Sequence, residues 1–225
     1  MTQETFKQIE RHMLAAMADS AHDAQHVYRV LYNALEIAES ETGVDYDVLI
    51  TACLLHDIGR REQFEDPTLC HAAVGSEKAR IFLTGLGFPE SFTEKVCHCI
   101  LSHRFRKAAP PQTLEAKILF DADKLDVTGA VGIARTLLYQ GKMEYPLYTV
   151  LPDGTVSDGT EESTETFFQE YKFKLERLYT TFLTQTGSRL AQERRAAAES
   201  FYKNLYREIA WGYENGPEFL QRFLD

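Results

Sequence analysis

A histidine and an aspartate stand side by side at the end of an apolar run, in the sequence CLLHDIGR at residues 53–60. An imidazole nitrogen and a carboxylate oxygen both suit a divalent cation of intermediate hardness. The same two side chains, His56 and Asp57, could instead cap a helix and join a hydrogen-bond network. The choice therefore depends on whether other residues of ligand type lie on neighbouring elements.

Residues of metal-binding type recur along the chain, and each group falls on a different predicted helix. A helical bundle can direct such side chains to one interior point, as carboxylate-rich metal sites in bundles do. We therefore expect several helices to contribute to one divalent-metal site. The groups are His22, Asp23 and His26; His56 and Asp57; His71; His103; and Asp121, Asp123 and Asp126.

Helical periodicity limits which of these side chains can face the same ion. His22 and His26 are four residues apart and share a helix face, but His22 lies near the cap and could satisfy donors at the helix start. On the sixth predicted helix, Asp123 and Asp126 lie about 60° apart, whereas Asp121 lies about 160° from Asp123. Asp121 and Asp123 should therefore not bind one metal together, and the geometry leaves the choice between them open.

The spacing of apolar residues predicts an all-α fold. We expect a single domain over residues 1–225, with a core at about 20–140, an irregular loop or small hairpin at 141–160, and C-terminal helices at 161–225 that pack on the core. A polar loop is expected between Asp57 and His71, and Thr113 suits the N-cap of the sixth helix. The predicted helices span about 6–17, 22–40, 45–57, 71–83, 89–103, 113–125, 167–182 and 190–211.

Composition narrows the class of protein. The net charge of −10 disfavours a protein that grips long nucleic acid by neutralising phosphates, but not one that binds a small phosphorylated ligand. The four cysteines show no CxxC pairing, which favours reduced thiols in a helical core. No signal-peptide core or membrane-length apolar run is present. We therefore expect a cytoplasmic protein with no membrane partner, as a monomer or a homodimer.

Taken in order along the chain, these motifs resemble those of a known family. The order His26, His56-Asp57, Asp123 resembles the HD superfamily of metal-dependent phosphohydrolases, and the local sequences are similar to those of its small, single-domain bacterial members. The similarity covers roughly residues 20–140 as spaced motifs. The sequences that carry it are HDAQHVYRV at 22–30, LLHDI at 54–58, His103, and LEAKILFDADKLD at 114–126, continued by GAVGIAR at 129–135.

The resemblance implies an HD-domain helical bundle with additional C-terminal helices, and it implies roles for individual residues. It selects Asp123 over Asp121 as the fourth member of the metal-ligand set His26, His56, Asp57 and Asp123. Asp57 would also act in catalysis by orienting or deprotonating water. The further residues implied are His71 and His103, which some members use for a second metal or for substrate phosphate, Lys124 for catalysis, and His22, Arg60, Arg104 and Asp126 for substrate contact or support. Arg60 and the following Arg61 depart from many relatives.

The function implied is hydrolysis of a small phosphorylated substrate by metal-activated water. By resemblance we expect a nucleotide substrate and a phosphatase or nucleoside-triphosphate pyrophosphohydrolase activity. Mn²⁺ suits the mixed nitrogen and oxygen ligands, with Fe²⁺, Co²⁺, Ni²⁺, Zn²⁺ or Mg²⁺ as alternatives. The competing hypotheses are a cyclic-nucleotide phosphodiesterase and a non-catalytic metal- or nucleotide-binding module that contacts a partner through its C-terminal helices.

Overall fold

The computed structural model describes residues 1–17, 24–104, 109–161 and 164–224. Over these ranges the regular elements are helices, which confirms the all-α prediction. His22 and Asp23, which were among the candidate site residues, lie outside the described residues. The helices are α1 (Gln3–Met17), α2 (Ala24–Ala38), α3 (Tyr46–Leu55), α4 (Arg60–Glu65), α5 (His71–Gly85), α6 (Glu90–Ser102), α7 (Leu114–Leu125), α8 (Gly129–Lys142), α9 (Phe167–Glu170) and α10 (Gln185–Gln221).

The chain divides into two compact units. The first comprises residues 1–126 and 182–187, and the second comprises residues 127–181 and 188–225. The prediction of a single domain over 1–225 stays a prediction. No helix of the described residues is long and apolar enough to cross a membrane. A cytoplasmic location and the oligomeric state also stay predictions.

Helix α3 lies at the centre of the first unit because its sequence is apolar on nearly every side. It contacts α1, α2, α6 and α7, and its residues from Val48 to Leu55 are almost all buried. A helix that is apolar all round is stable only inside a core. Asp45 caps its N-terminus by accepting a hydrogen bond from the Val48 amide (3.2 Å). The helix ends at Leu55, so His56 and Asp57 emerge in the turn that follows, within the core.

Part of the segment predicted as a polar loop after Asp57 is helical, because residues 60–65 form α4. Gly59 precedes α4 and lies directly against the start of α5. A Cβ atom at Gly59 would approach the His71 carbonyl oxygen to 2.4 Å and the Gly75 amide nitrogen to 2.6 Å. Only glycine allows this backbone approach. The approach brings the first residue of α5, His71, next to the turn that carries Asp57.

The second unit departs from the predicted helix at residues 167–182. Helix α9 covers only Phe167–Glu170, and it is followed by a π-helical turn over Tyr171–Leu175 and a short 3₁₀ turn over Leu178–Thr180. The Glu176 amide bonds to the Tyr171 carbonyl (2.8 Å), which is the wide hydrogen bond of a π turn. Both Tyr171 and Leu175 remain buried. The apolar pattern of residues 167–182 therefore predicts the buried face, but the prediction of one regular helix is wrong.

Two further segments of this unit correspond to predicted features. Between residues 141 and 160, Val150 and Val156 form an isolated antiparallel β-bridge around the turn at Gly154. Helix α10 is longer than the predicted helix at 190–211 and continues through Pro217. Tyr202 of α10 stacks on Tyr171, with ring centroids 4.1 Å apart.

Candidate metal centre

Six ligand-type side chains from five helical elements meet inside the first unit. All but Asp123 are fully or almost fully buried. Because these elements are far apart in sequence, only their packing brings the side chains together. They are His26 on α2, His56 and Asp57 in the turn after α3, His71 at the start of α5, His103 directly after α6, and Asp123 on α7.

The first set, called here the His26 group, consists of His26, His56, Asp123 and the Oδ2 atom of Asp57. The two Nε2 atoms lie 3.4 Å apart. Asp123 Oδ1 lies 3.3 Å from His26 Nε2 and 4.0 Å from His56 Nε2. Asp57 Oδ2 lies 3.5 Å and 3.6 Å from the same two atoms. Two imidazole nitrogens and two carboxylate oxygens thus surround one point, with the Asp123 side chain 23% exposed on the open side.

The second set, called here the His71 group, consists of His71, His103 and the Oδ1 atom of Asp57. His71 Nε2 and His103 Nε2 lie 3.2 Å apart. Asp57 Oδ1 lies 3.4 Å from the former and 3.7 Å from the latter. The single buried carboxylate of Asp57 therefore joins the two groups, with one oxygen turned to each.

Backbone carbonyls determine the tautomers of two of the four histidines. His56 Nδ1 donates to the Cys53 carbonyl (2.8 Å), and His103 Nδ1 donates to the Ile100 carbonyl (2.6 Å). A carbonyl oxygen can only accept, so the proton of each neutral ring is on Nδ1 and the lone pair is on Nε2. Such partners fix the orientation of metal-binding imidazoles and raise their basicity.

For the other two histidines, His26 and His71, side chains rather than backbone carbonyls fix the tautomer. His26 Nδ1 donates to Asp126 Oδ2 (2.7 Å), and His71 Nδ1 donates to Gln63 Oε1 (2.6 Å). The Gln63 amide is itself oriented, because its Nε2 donates to the Leu69 carbonyl (3.0 Å). All four histidines therefore have Nδ1 engaged and Nε2 directed towards the centre of the site.

This donor set suits a divalent cation. Lone pairs of Nε2 atoms that face one another within 3.5 Å are repulsive unless a cation or a proton lies between them. Among the described residues, the buried Asp57 Oδ2 has no hydrogen-bond partner, although His26 Nε2 lies 3.5 Å from it. A buried carboxylate oxygen without a donor is costly unless a positive charge compensates it. The His26 group thus matches the mixed imidazole and carboxylate chemistry that binds divalent metals.

The pKa values of the His26 group favour charged side chains. Burial lowers the pKa of His26, but the carboxylates of Asp123, Asp126 and Asp57 outweigh it and raise this pKa to about 10. Burial raises the pKa of Asp123, but the His26 imidazole overcomes this effect and holds it well below its usual value. In the metal-free protein, a proton on His26 thus supplies the positive charge that an ion would bring.

In the His71 group, by contrast, the pKa values favour neutral imidazole rings. Burial, followed by the charge of Arg60, lowers the pKa of His71 to about 2. Burial, followed by His56, lowers the pKa of His103 to about 4. Both rings are therefore neutral around pH 7.

Asp121 lies outside both groups and anchors the chain instead. Its carboxylate accepts hydrogen bonds from the Leu183 amide (2.9 Å), the Thr184 amide (2.7 Å) and the Thr184 hydroxyl (2.6 Å). Thr184 in turn caps α10 by accepting from the Gly187 amide (3.0 Å). Of the two aspartates between which helical geometry could not choose, the packing thus turns Asp123 towards the histidines and Asp121 towards the start of α10.

The basic candidates occupy different positions. Arg60 Nε donates to Asp57 Oδ1 (2.8 Å), and an Nη atom of Arg104 lies 3.4 Å from His71 Nδ1. The Lys124 ammonium lies 4.6 Å from the centroid of the Phe120 ring. Arg60 and Arg104 thus border the His71 group, and the catalytic role of Lys124 stays a prediction.

Asp126 lies where it supports His26, which is one of the two roles expected for it, and substrate contact by Asp126 stays a prediction. It is buried behind His26 and also accepts from Arg29 Nε (2.6 Å) and Nη2 (3.1 Å). Arg29 and Gln63 support the site without having been singled out as candidates. A signal existed for Arg29, since it lies three residues after His26 and shares its helix face. No sequence pattern pointed to Gln63, because α4 itself was not predicted.

Comparison with known proteins places these features in a family. The model of the HD domain matches residues 23–128. The chain is 31% identical to the protein YpgQ of Bacillus subtilis (strain 168) over 194 residues, which cover 84% of this chain and 85% of YpgQ. Most of the chain therefore has a counterpart in that relative.

Solved structures extend the similarity to three dimensions. The crystal structure of B. subtilis YpgQ in complex with ADP has a TM-score of 0.71 and 26% identity, covering 91% of this chain and 95% of YpgQ. The structure of a predicted HD-superfamily hydrolase from an uncultured Thermotogales bacterium has a TM-score of 0.60 and 31% identity, covering 92% of each chain.

Proposed function

This chain belongs to the HD superfamily of phosphohydrolases, and from that premise we propose that it hydrolyses a nucleotide with a Mn²⁺ ion held by His26, His56, Asp57 and Asp123. It is a hydrolase acting on phosphate bonds, and the family binds divalent metals. One observation carries the proposal for the site: four imidazole Nε2 atoms converge on the two oxygens of one buried aspartate. The ADP bound by the similar protein YpgQ supports a nucleotide substrate.

The chemistry divides between the metal and the side chains. When bound, a divalent cation lowers the pKa of a water molecule and neutralises charge on the phosphate. His26 and His56 would bind it through Nε2, and Asp57 and Asp123 through Oδ2 and Oδ1. The 23% exposure of Asp123 leaves an approach to the metal from solvent. Mn²⁺ suits this nitrogen and oxygen set.

The remaining residues would act on the substrate and the attacking water. The partners of His71 and His103 leave their Nε2 atoms as hydrogen-bond acceptors, which supports positioning the attacking water more than donating to a phosphate oxygen. The guanidinium groups of Arg60 and Arg104 supply positive charge for phosphate oxygens. We keep Lys124 as a further candidate for this charge.

The products of hydrolysis would show which bond is cut. We would incubate the purified protein and Mn²⁺ with nucleoside mono-, di- and triphosphates and with cyclic nucleotides, and measure phosphate and pyrophosphate separately. Pyrophosphate identifies a pyrophosphohydrolase, phosphate a phosphatase, and opening of a cyclic substrate the phosphodiesterase alternative. Turnover of no nucleotide in the panel would contradict the proposal.

Variants would connect any activity to this site. Asp57→Ala should abolish turnover, because it removes the carboxylate shared by both groups. Asp66→Asn is the control, since Asp66 is exposed and its carboxylate accepts hydrogen bonds from Thr68 within its own turn. Activity that persists unchanged in Asp57→Ala would point to a contaminating enzyme, and equal loss in both variants would point to general destabilisation.

A further inference from the structure

The two oxygens of Asp57 differ in what already neutralises them. Oδ2, in the His26 group, makes no hydrogen bond among the described residues and faces His26 Nε2 at 3.5 Å, an atom that a metal ion can deprotonate and bind. Oδ1, in the His71 group, accepts a 2.8 Å hydrogen bond from Arg60 Nε. The two groups are otherwise alike, because each pairs two imidazole Nε2 atoms with one oxygen of the same carboxylate.

We propose that the Arg60 guanidinium takes the place of a second metal ion, so that this chain binds one divalent cation, in the His26 group, and excludes a cation from the His71 group. The inference rests on the proposed function, since it concerns the same site. An arginine retains its charge at every accessible pH, so the exclusion does not depend on titration.

Charge and geometry support this reading. A cation bound to Asp57 Oδ1 would share its ligand atom with Arg60 Nε, which lies 2.8 Å from that oxygen, and like charges this close repel strongly in a partly buried site. The Arg104 guanidinium, beside His71, adds to the repulsion. The His26 group instead has a second carboxylate, that of Asp123, facing its imidazole Nε2 atoms, and the nearby Arg29 guanidinium is paired with Asp126 behind His26. The two groups thus differ in charge, because an arginine contacts the shared carboxylate only on the side of the His71 group.

The position of Arg60 also gives it access to the substrate side. Its side chain is 24% exposed, whereas Asp57, His71 and His103 have side chains fully buried. Of the five N–H donors of the guanidinium, Nε–H is directed at Asp57. The planar group can therefore remain on Asp57 while its outer edge meets a phosphate oxygen, a contact that a buried second metal would otherwise provide.

Counting bound Mn²⁺ tests the proposal without any substrate. We would titrate the metal-free protein with Mn²⁺ alone by calorimetry and by electron paramagnetic resonance. The variants are Arg60→Gln and Arg60→Lys, with Arg61→Gln as the matched control because Arg61 is exposed and pairs with Glu65. We expect one ion per chain in the wild type, in Arg60→Lys and in Arg61→Gln.

Arg60→Gln should bind a second ion at least about tenfold more tightly than the wild type does. Two neighbouring Mn²⁺ ions should give a spin-coupled spectrum, and adding His103→Ala should abolish it. Circular dichroism would verify that each variant is folded, and Arg60→Met would replace Arg60→Gln if the latter does not fold. Two ions in the wild type, or one ion in a folded Arg60→Gln variant, would overturn the proposal.

The result can be separated from that of the nucleotide assay. A protein that binds one Mn²⁺ ion but cleaves no nucleotide would sustain the role of Arg60 and contradict the proposed substrate. A protein that cleaves nucleotides with two bound ions would support the proposed substrate and contradict the role of Arg60.

Discussion

His26 and Asp126, one hundred residues apart in sequence, share a buried hydrogen bond of 2.7 Å between Nδ1 and Oδ2. Arg29, one turn further along α2 than His26, holds the same carboxylate through Nε and Nη2. The pair therefore orients the imidazole so that its Nε2 atom is directed at His56 and Asp57. Hydrogen bonds and buried charges of this kind lead to predictions for the metal affinity of the site and for the stability of the protein.

Asp126→Asn should weaken metal binding without abolishing it. The amide can no longer impose one tautomer on His26, and loss of such a partner typically costs about 10- to 100-fold in metal affinity. We expect the Mn²⁺ dissociation constant, measured by calorimetry, to rise by that factor while turnover at saturating Mn²⁺ largely recovers. Unchanged affinity, as expected for the control Asp66→Asn, would assign Asp126 a purely structural role.

Metal binding should release a proton from His26. Because the pKa of His26 in the metal-free protein is raised to about 10, the ring carries a second proton near neutral pH, and the ion must displace it from Nε2. The Mn²⁺ affinity should therefore rise with pH below this value. Calorimetry in buffers of different ionisation enthalpy measures the protons released, and a binding enthalpy independent of the buffer would contradict the prediction.

The metal-free protein should be most stable close to pH 6.5. His103 is buried with its pKa lowered from 6.5 to about 4, so the unfolded chain binds its proton first and stability falls as the pH drops through this window. His71, with a pKa lowered to about 2, acts in the same direction. His26 acts oppositely, because stability from its raised pKa is complete below 6.5 and is lost as the pH rises towards 10.

The measurement is a series of urea unfolding curves in the presence of a chelator. His103→Gln should flatten the acidic side of the profile, since full titration of His103 is worth about 3 kcal/mol. A wild-type profile that does not decline on the acidic side of 6.5 would show that His71 and His103 are not buried as neutral rings.

Asp121→Asn and Asp123→Asn should differ in their effect on metal binding. Asp121→Asn replaces one acceptor oxygen for Leu183 and Thr184 with a donor, and a buried unsatisfied donor costs about 1–3 kcal/mol. We expect a lower free energy of unfolding and an unchanged Mn²⁺ stoichiometry. Asp123→Asn should instead weaken Mn²⁺ binding, and it should also destabilise the metal-free protein by removing a carboxylate partner of the buried His26 imidazolium, so Mn²⁺ affinity is the measurement that distinguishes the two variants. The opposite pattern would reverse the assignment of the two carboxylates.

Much of the fold could be predicted because its helices are amphipathic and clearly capped. Asp45 and Thr113 were expected to begin helices, and both side chains accept the capping hydrogen bond. Apolar spacing likewise indicated the helices that carry His26 and Asp123. The same spacing failed at residues 167–182, where the buried residues follow a π turn. Periodicity reports which residues are buried, but it does not report the hydrogen-bond pattern of the backbone between them.

The HD superfamily and its phosphohydrolase activity were also accessible from sequence, through the order of His26, His56-Asp57 and Asp123. The spacing within each motif determines which side chains share a helix face, because that relationship is local and periodic. It could exclude a joint role for Asp121 and Asp123, but it could not choose between them.

Only the tertiary structure decided that choice and the charges around the site. Whether Asp123 or Asp121 faces His26 depends on the rotation of α7 against α2, and contact with Arg60 depends on α4, a helix too short to leave a periodic signal. Asp123 and His26 lie on separate helices, so their distance follows from how those helices pack, whereas Arg60 is only three residues after Asp57 and packing decides which Asp57 oxygen it meets. The sequence alone thus determined the ligand types and their order, and the packing determined which oxygen of Asp57 meets an arginine.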